Sequence, residues 1–294
     1  MNCGFVALIG RPNVGKSTLM NHLLKQKISI TSRKPQTTRH RITGINTTDA
    51  GQIIYVDTPG MHGDGKRALN HYLNKTADTT MLGVDVIVWL IDGLFWHEYD
   101  DIIFKKLEQA GLPVILAVNK FDKIKDKDDI LAFIATAQHR YPFEHLIPIS
   151  ALKGNNLEQL ESLIIKLLPE GDLIYDAEQI TDRSERFLCA EIIREKLTRR
   201  LGDELPYEST VEIGLYQEKP GLTKIYAVIW VERMTQKNIV VGKQGEMLKN
   251  IGTDARMDIE KLIGQKVYLQ LWVKVKKGWS NNERALQSLG FNDM

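Results

Sequence analysis

Eight residues near the amino terminus, Gly10-Arg11-Pro12-Asn13-Val14-Gly15-Lys16-Ser17, carry the spacing G-x-x-x-x-G-K-[ST]. Glycines at these points let the backbone curl until successive N–H groups face inward, where they can hold phosphate oxygens. Lys16 is then expected to neutralise the β- and γ-phosphates, and Ser17 to offer its hydroxyl oxygen to magnesium. The run Phe5–Ile9 ahead of the loop reads as a buried strand, and Leu19, Leu23 and Leu24 behind it share one helical face. A helix opening directly after the loop adds partial positive charge at its amino end.

A phosphate loop does not choose a base. Asn119-Lys120-Phe121-Asp122 does, because it follows the apolar run Val114–Val118, at the strand end where open α/β sheets bind ligands. The Asp122 carboxylate can accept from both N1–H and the exocyclic amino group of guanine. Adenine offers neither donor there, and a site built on such bonds discriminates by roughly 10⁴–10⁵. Asn119 is expected to steady the loop and Lys120 to pack along the base. Ser150-Ala151-Leu152, after the run Leu146–Ile149, could reach the base through backbone N–H.

Two further segments complete a triphosphate site. In Asp57-Thr58-Pro59-Gly60, after the run Ile53–Val56, Asp57 is placed to hold magnesium through water and the Gly60 N–H to meet the γ-phosphate. Thr38, or its neighbour Thr37, in the polar loop Gln36–His40, would close on magnesium and the same phosphate. Residues 61–74, rich in Gly, His and charge, read as the switch that follows it.

The elements that must position these residues are legible as a rhythm. Phe5–Ile9, Ile53–Val56, Val84–Ile91, Pro113–Val118 and Leu146–Ile149 are short apolar runs separated by helix-length segments. That pattern predicts a doubly wound, mostly parallel α/β sheet over residues 1–170. Leu157, Leu160, Ile164, Leu167 and Leu168 mark its last helix, and Pro169-Glu-Gly-Asp172 stops it. Residues 171–183 read as a linker. From 184 to 294 the order is helix, strand, strand, helical region, strand, a compact α+β domain with a tail. Gln236–Val241 fits either helix or strand.

Within this second domain Gly242-Lys243-Gln244-Gly245 forms G-x-x-G ahead of an apolar helical pattern. Two such glycines can bring backbone close to a nucleic-acid strand, with Lys243 as the best phosphate ligand. Lys249, Lys274, Lys276 and Lys277 could form a basic rim, although alternating lysines also suit the solvated face of a strand. Trp272 and Trp279 could stack on bases or pack in the core.

Composition excludes several classes. The chain has 294 residues, about two domains' worth. Lys+Arg is 39 against 37 for Asp+Glu, a formal charge of +2, divided as −1 over residues 1–180 and +3 over 181–294. Neither an acidic tail protein nor a polycation fits, and nonspecific nucleic-acid binding should be modest. No apolar stretch reaches the roughly 18 residues of a membrane span. The amino-terminal residues do not read as a signal peptide, and two cysteines make no disulfide framework, so a reducing cytoplasm is expected.

The five nucleotide elements, in this order, resemble a translation-factor-class P-loop GTPase domain. Pro12-Asn13, Thr37-Thr38-Arg39 and Asp57-Thr58-Pro59-Gly60 together look like the branch holding the Era, EngA and tRNA-modification GTPases. Ile180–Phe187, Glu191–Lys196 and Leu271–Trp279 extend the likeness to Era proteins over the whole chain, making the second domain similar to a type II KH domain. The resemblance implies a GTP-hydrolysing switch that binds the 3′ end of small-subunit ribosomal RNA and assists 30S subunit assembly. It also implies a monomer, cytoplasmic with a loosely associated fraction at the inner membrane. Magnesium is the implied cofactor; in such relatives the asparagine at the position of Asn13 also coordinates potassium. One departure matters: Met61 stands where Ras-like proteins carry a water-orienting glutamine, so slow intrinsic hydrolysis is expected. Competing readings are a GTP-dependent signalling protein whose second domain binds protein, and a metabolic ATPase.

Overall fold

The structure is a computed structural model that describes all residues except 33, 35–36, 58–82, 125, 203–207, 283, 285, 287–288 and 290–294. The expectations for Gln36, Thr58, Pro59, Gly60, Met61 and the 61–74 switch fall outside the described residues. The chain divides into two compact units; the first ends at Asp182, and the second begins at Arg183 and also takes in Ile30–Thr37.

In the first unit β1 (Asn2–Ile9), β3 (Gly51–Asp57), β4 (Val86–Asp92), β5 (Val114–Asn119) and β6 (His145–Pro148) are parallel neighbours, and β2 (Ile42–Thr48) joins antiparallel at the edge. The spatial order is β2-β3-β1-β4-β5-β6. β3, β4 and β5 are buried almost throughout, as expected for strands covered on both faces. The helices α1 (Lys16–Leu23), α2 (Glu98–Ala110), α3 (Lys127–Arg140) and α4 (Leu157–Leu167) follow β1, β4, β5 and β6. All four strand-to-loop junctions just described therefore open at one end of the sheet.

β2 lies where the sequence shows only a polar connection. Its Ile-Thr-Gly-Ile-Asn-Thr-Thr carries too few apolar residues to stand out, and its edge position explains why it needs no more. The stretch expected as a linker continues this edge. Ile45 N–H donates to Ile180 O at 2.7 Å and Thr181 Oγ1 donates to Thr43 O at 2.6 Å. The Gln52 side chain accepts from the N–H groups of Ile174 and Tyr175, each at 3.0 Å. Residues 174–181 are thus bonded to the first unit.

The second unit runs α5 (Glu185–Arg200), β7 (Ser209–Lys219), β8 (Leu222–Val231), α6 (Met234–Val241), α7 (Glu246–Ile263) and β9 (Lys266–Val275). β7 and β8 form an antiparallel hairpin, and β9 lies parallel to β8 along its whole length. Alternate residues Ile225, Ala227 and Ile229 of β8 pack with Ile193 and Leu197 of α5 and Ile251, Ala255 and Ile259 of α7. Gln236–Val241, ambiguous by periodicity, is helical. No described helix is long and apolar enough to cross a membrane. Cys3 and Cys189 are both buried free thiols.

Candidate functional site

The loop between β1 and α1 is shaped by its glycines. Gly10 and Gly15 sit at φ +143° and +109°. A Cβ on Gly10 would lie 2.3 Å from Leu90 O, and one on Gly15 would lie 2.2 Å from Asn119 Nδ2. Asn13 turns the loop at φ +64°, a conformation its residue type tolerates. Lys16 curls back over the loop and donates from Nζ to Gly10 O at 2.8 Å and Arg11 O at 3.0 Å. Burial drops its ammonium to about 8, with the Asp57 charge opposing.

Beside Lys16 three hydroxyls converge on one carboxylate. Ser17, Ser29 and Thr38 donate to Asp57 Oδ2 at 2.7, 2.8 and 3.3 Å. Asp57 Oδ1 is buried and has no hydrogen-bond partner among the described residues. Burial raises the Asp57 carboxyl above the ordinary carboxylate range, against the pull of Lys16 and the hydroxyls. An all-oxygen cluster around an unsatisfied carboxylate oxygen fits a hard cation such as magnesium. Of the two candidate threonines, Thr38 reaches Asp57, while Thr37 Oγ1 donates to Lys34 O at 2.6 Å. Ser29 had no sequence signal. Asn21 on α1 holds it in place, accepting from Ile28 N at 3.0 Å and Ser29 N at 2.9 Å and donating to Ser29 O at 2.6 Å.

The residues expected to meet the base form a tied set at the ends of β5 and β6. Asn119 Nδ2 donates to Val14 O at 2.6 Å, and its Oδ1 accepts from Ala151 N at 2.9 Å, so one amide joins three loops. Ser150 Oγ donates to Asp122 Oδ1 at 2.6 Å, leaving an exposed carboxylate aimed by its neighbour. Ala151 is buried and Leu152 exposed. Lys120, itself at φ +64°, spans Asn13 O at 3.0 Å and Asp92 Oδ2 at 2.6 Å. Arg11 pairs with Asp92 at 3.1 Å and Asp100 at 3.3 Å. Asp92 and Asp100 thus anchor two residues expected to meet nucleotide; position at the end of β4 was the available clue for Asp92.

In the second unit the turn Lys243–Gly245 joins α6 to α7, with Gly242, Gln244 and Gly245 at φ +72°, +51° and +82°. A Cβ on Gly242 would lie 2.6 Å from Met247 Cβ. Lys243 and Gln244 are exposed at the tip. A groove of about 400 Å³ opens beside the turn, with Gly245, Lys249 and Arg256 on one wall and Leu269 and Leu271 of β9 on the other. Arg256 escaped the sequence reading, although Lys249, Thr253 and Arg256 recur at one-face helical spacing.

The expected basic rim divides. Lys249 lines the groove, and Lys277 is exposed beyond β9. Lys274 and Lys276 belong to the opposite face, their Nζ atoms 5.9 and 5.8 Å from the Trp230 ring centroid. Strand alternation explains the correction, since even-numbered positions of β9 face away from Leu269 and Leu271. Trp279 is fully buried, so core packing claims it.

A phosphate loop, the Asn119–Asp122 strand end and a G-x-x-G turn between two helices define a P-loop GTPase domain followed by a KH domain. Family models agree: residues 5–120 match "50S ribosome-binding GTPase" and residues 204–280 match "KH domain". The GTPase Era of Pseudomonas savastanoi pv. phaseolicola is 53% identical over 292 residues, covering 99% of this chain and 97% of that protein. Aquifex aeolicus Era bound to GDP·AlF4− superposes with TM-score 0.96 at 39% identity, covering 99% of each chain. Era in complex with MgGDPNP and nucleotides 1506–1542 of 16S ribosomal RNA superposes equally, at TM-score 0.96 and 38% identity over 99% of each chain. The chain belongs to the GTPase Era family.

Proposed function

We propose that this chain is a magnesium-dependent GTP switch that binds the 3′ end of small-subunit ribosomal RNA and assists 30S assembly. The observation that carries the nucleotide half is the Asp122 carboxylate, held by Ser150 beside the same loop that presents Lys16. Asp122 selects guanine. Lys16 trades its two carbonyl partners for phosphate oxygens, and backbone N–H groups of residues 13–17 cradle the rest. Ser17, Thr38 and Asp57 would hold magnesium, which when bound neutralises charge across the β- and γ-phosphates. Thr38, and in the sequence reading the Gly60 N–H, would meet the γ-phosphate, whose loss on hydrolysis would remove that contact.

With Met61 unable to orient water, Asn13 would hold a potassium ion whose charge supplies the missing stabilisation, and hydrolysis should run about tenfold or more faster in potassium than in sodium. Equal rates would remove this role. In the second unit Lys243 takes phosphate and the groove beside Lys249 takes a few splayed bases. RNA affinity should differ between GTP-analogue and GDP states, because a switch works only through differential binding. The decisive test is nucleotide competition plus RNA crosslinking in cells: ATP displacing GTP, or crosslinking indifferent to Lys243→Glu, would overturn the reading. The peripheral membrane fraction rests on the resemblance alone, and flotation with liposomes tests it.

A further inference from the structure

The face of the second unit's sheet turned away from α5 and α7 is unlike an ordinary solvated strand surface. Its outward positions carry Leu215 from β7, Tyr226, Val228 and Trp230 from β8, and Tyr268 and Trp272 from β9. Tyr268 is 50% exposed and Trp272 38% exposed. Their rings form a row: Tyr226 meets Trp272 edge-on with centroids 5.4 Å apart, and Tyr268 with centroids 6.3 Å apart. Beneath Trp272 lies a shallow groove of about 430 Å³, bounded by Leu215, Tyr226, Val228 and Lys274.

Charge on this face is one-sided. Lys224, Lys266 and Lys274 occupy outward positions, and Lys276 follows just beyond β9. Glu212 is the one carboxylate among outward positions of the three strands, and it is engaged by Trp230 Nε1 at 2.7 Å. Protein–protein interface cores are depleted in lysine. Aromatic rings flanked by lysines are instead what a single strand needs, bases stacking on the rings while ammonium groups meet phosphates.

We propose that this outer face is a second contact for single-stranded RNA, with bases stacked on Tyr226, Trp272 and Tyr268 and phosphates held by Lys224, Lys274 and Lys276. The inference rests on the RNA-binding reading of the G-x-x-G groove, and β9 connects the two. Leu269 and Leu271 line that groove, whereas Tyr268 and Trp272 of the same strand form the outer row. β9 is an edge strand of the sheet, so RNA leaving the groove passes round a single strand to reach the platform. Lys274 and Lys276 thereby keep a role in RNA binding, on a different surface from the one expected.

The test compares two labelled oligoribonucleotides from the 3′ end of small-subunit ribosomal RNA, one of about 4 nucleotides and one of about 16. Anisotropy titrations use the full-length protein, unchanged or as Trp272→Ala, Lys274→Glu/Lys276→Glu or Lys243→Glu. Trp272→Ala is expected to weaken the long RNA about tenfold or more and leave the short one unchanged. The charge reversal should act likewise and flatten the salt dependence; because it leaves the rings in place, it also answers the question if Trp272→Ala misfolds. Tryptophan emission should be quenched by the long RNA, and less so in Trp272→Ala. Long-RNA binding indifferent to both outer-face variants overturns the proposal, as does loss of binding to intact 30S subunits while naked RNA binds normally, which would assign the face to a protein. Short RNA indifferent to Lys243→Glu defeats the groove reading instead, a result that neither outer-face variant can produce.

Discussion

The nucleotide site and the G-x-x-G groove are both loops that open a helix, yet they are built on opposite principles. In the first unit Lys16, Asp57 and Asn119 are buried, and each is bonded to backbone or hydroxyl groups. In the second, Lys243, Gln244 and Lys249 are exposed, and Leu269 and Leu271 form one wall of the groove. A transferring phosphoryl group develops charge at fixed points, and preorganised buried dipoles stabilise it most. A flexible nucleic-acid strand supplies its own fit, so an open surface with few fixed groups suffices. Substitution at the tightly packed loop glycines should therefore destabilise and inactivate together, whereas substitution in the groove should change affinity alone.

The largest effect expected is at Gly10. A methyl group there meets the Leu90 carbonyl at 2.3 Å with φ at +143°. Gly10→Ala should abolish GTP binding and lower unfolding free energy by about 3 kcal/mol, measurable by fluorescent-nucleotide titration and urea denaturation. Retained binding would show that this loop is as tolerant as the groove. Asp122→Asn should next reduce the preference for GTP over ATP by about a thousandfold or more with stability nearly unchanged, since the carboxylate is exposed. Partial rescue by xanthosine triphosphate, which presents a carbonyl to the new amide, would sharpen the assignment.

Lys243→Ala should weaken short RNA about tenfold, lower the salt slope by about one, and leave the melting temperature within error. A fall in melting temperature would break the contrast from the other side. The smallest effect concerns Asp57 without nucleotide. Burial raises its folded pKa, so the folded state holds this proton more tightly than the unfolded chain. The contribution is favourable at low pH and is lost as pH rises from the unfolded value through the raised one. Asp57→Asn should therefore stabilise the nucleotide-free protein near neutral pH by about 1 kcal/mol while abolishing magnesium-dependent hydrolysis. Thermal melts at acidic and neutral pH check the sign, since the gain should vanish in acid.

Legibility in the sequence followed how local each signal was. Gly10–Ser17, Asn119–Asp122 and Gly242–Gly245 are contiguous, and each opens or follows an element with strong periodicity. Ser29 was invisible because its role depends on Asn21 folding residues 28–29 back over α1. Asp92 and Asp100 emerged only with their partners Arg11 and Lys120, far off in the chain. Residues 171–183 read as a linker because their composition is polar. Ile180 and Thr181 are nonetheless bonded at the edge of a strand that was itself too polar to recognise.

Residue order by itself determined the two-domain plan, the guanine-nucleotide chemistry and the position of the G-x-x-G turn. These depend on spacings within one loop or one helix, where covalent connectivity already sets the geometry. Tertiary structure decided which hydroxyls surround Asp57, which of two threonines reaches it, and on which face of β9 each lysine and tryptophan stands. Those outcomes depend on how distant segments pack and on strand register, and a shift of one residue would carry Trp272 from the outer face to the helix side.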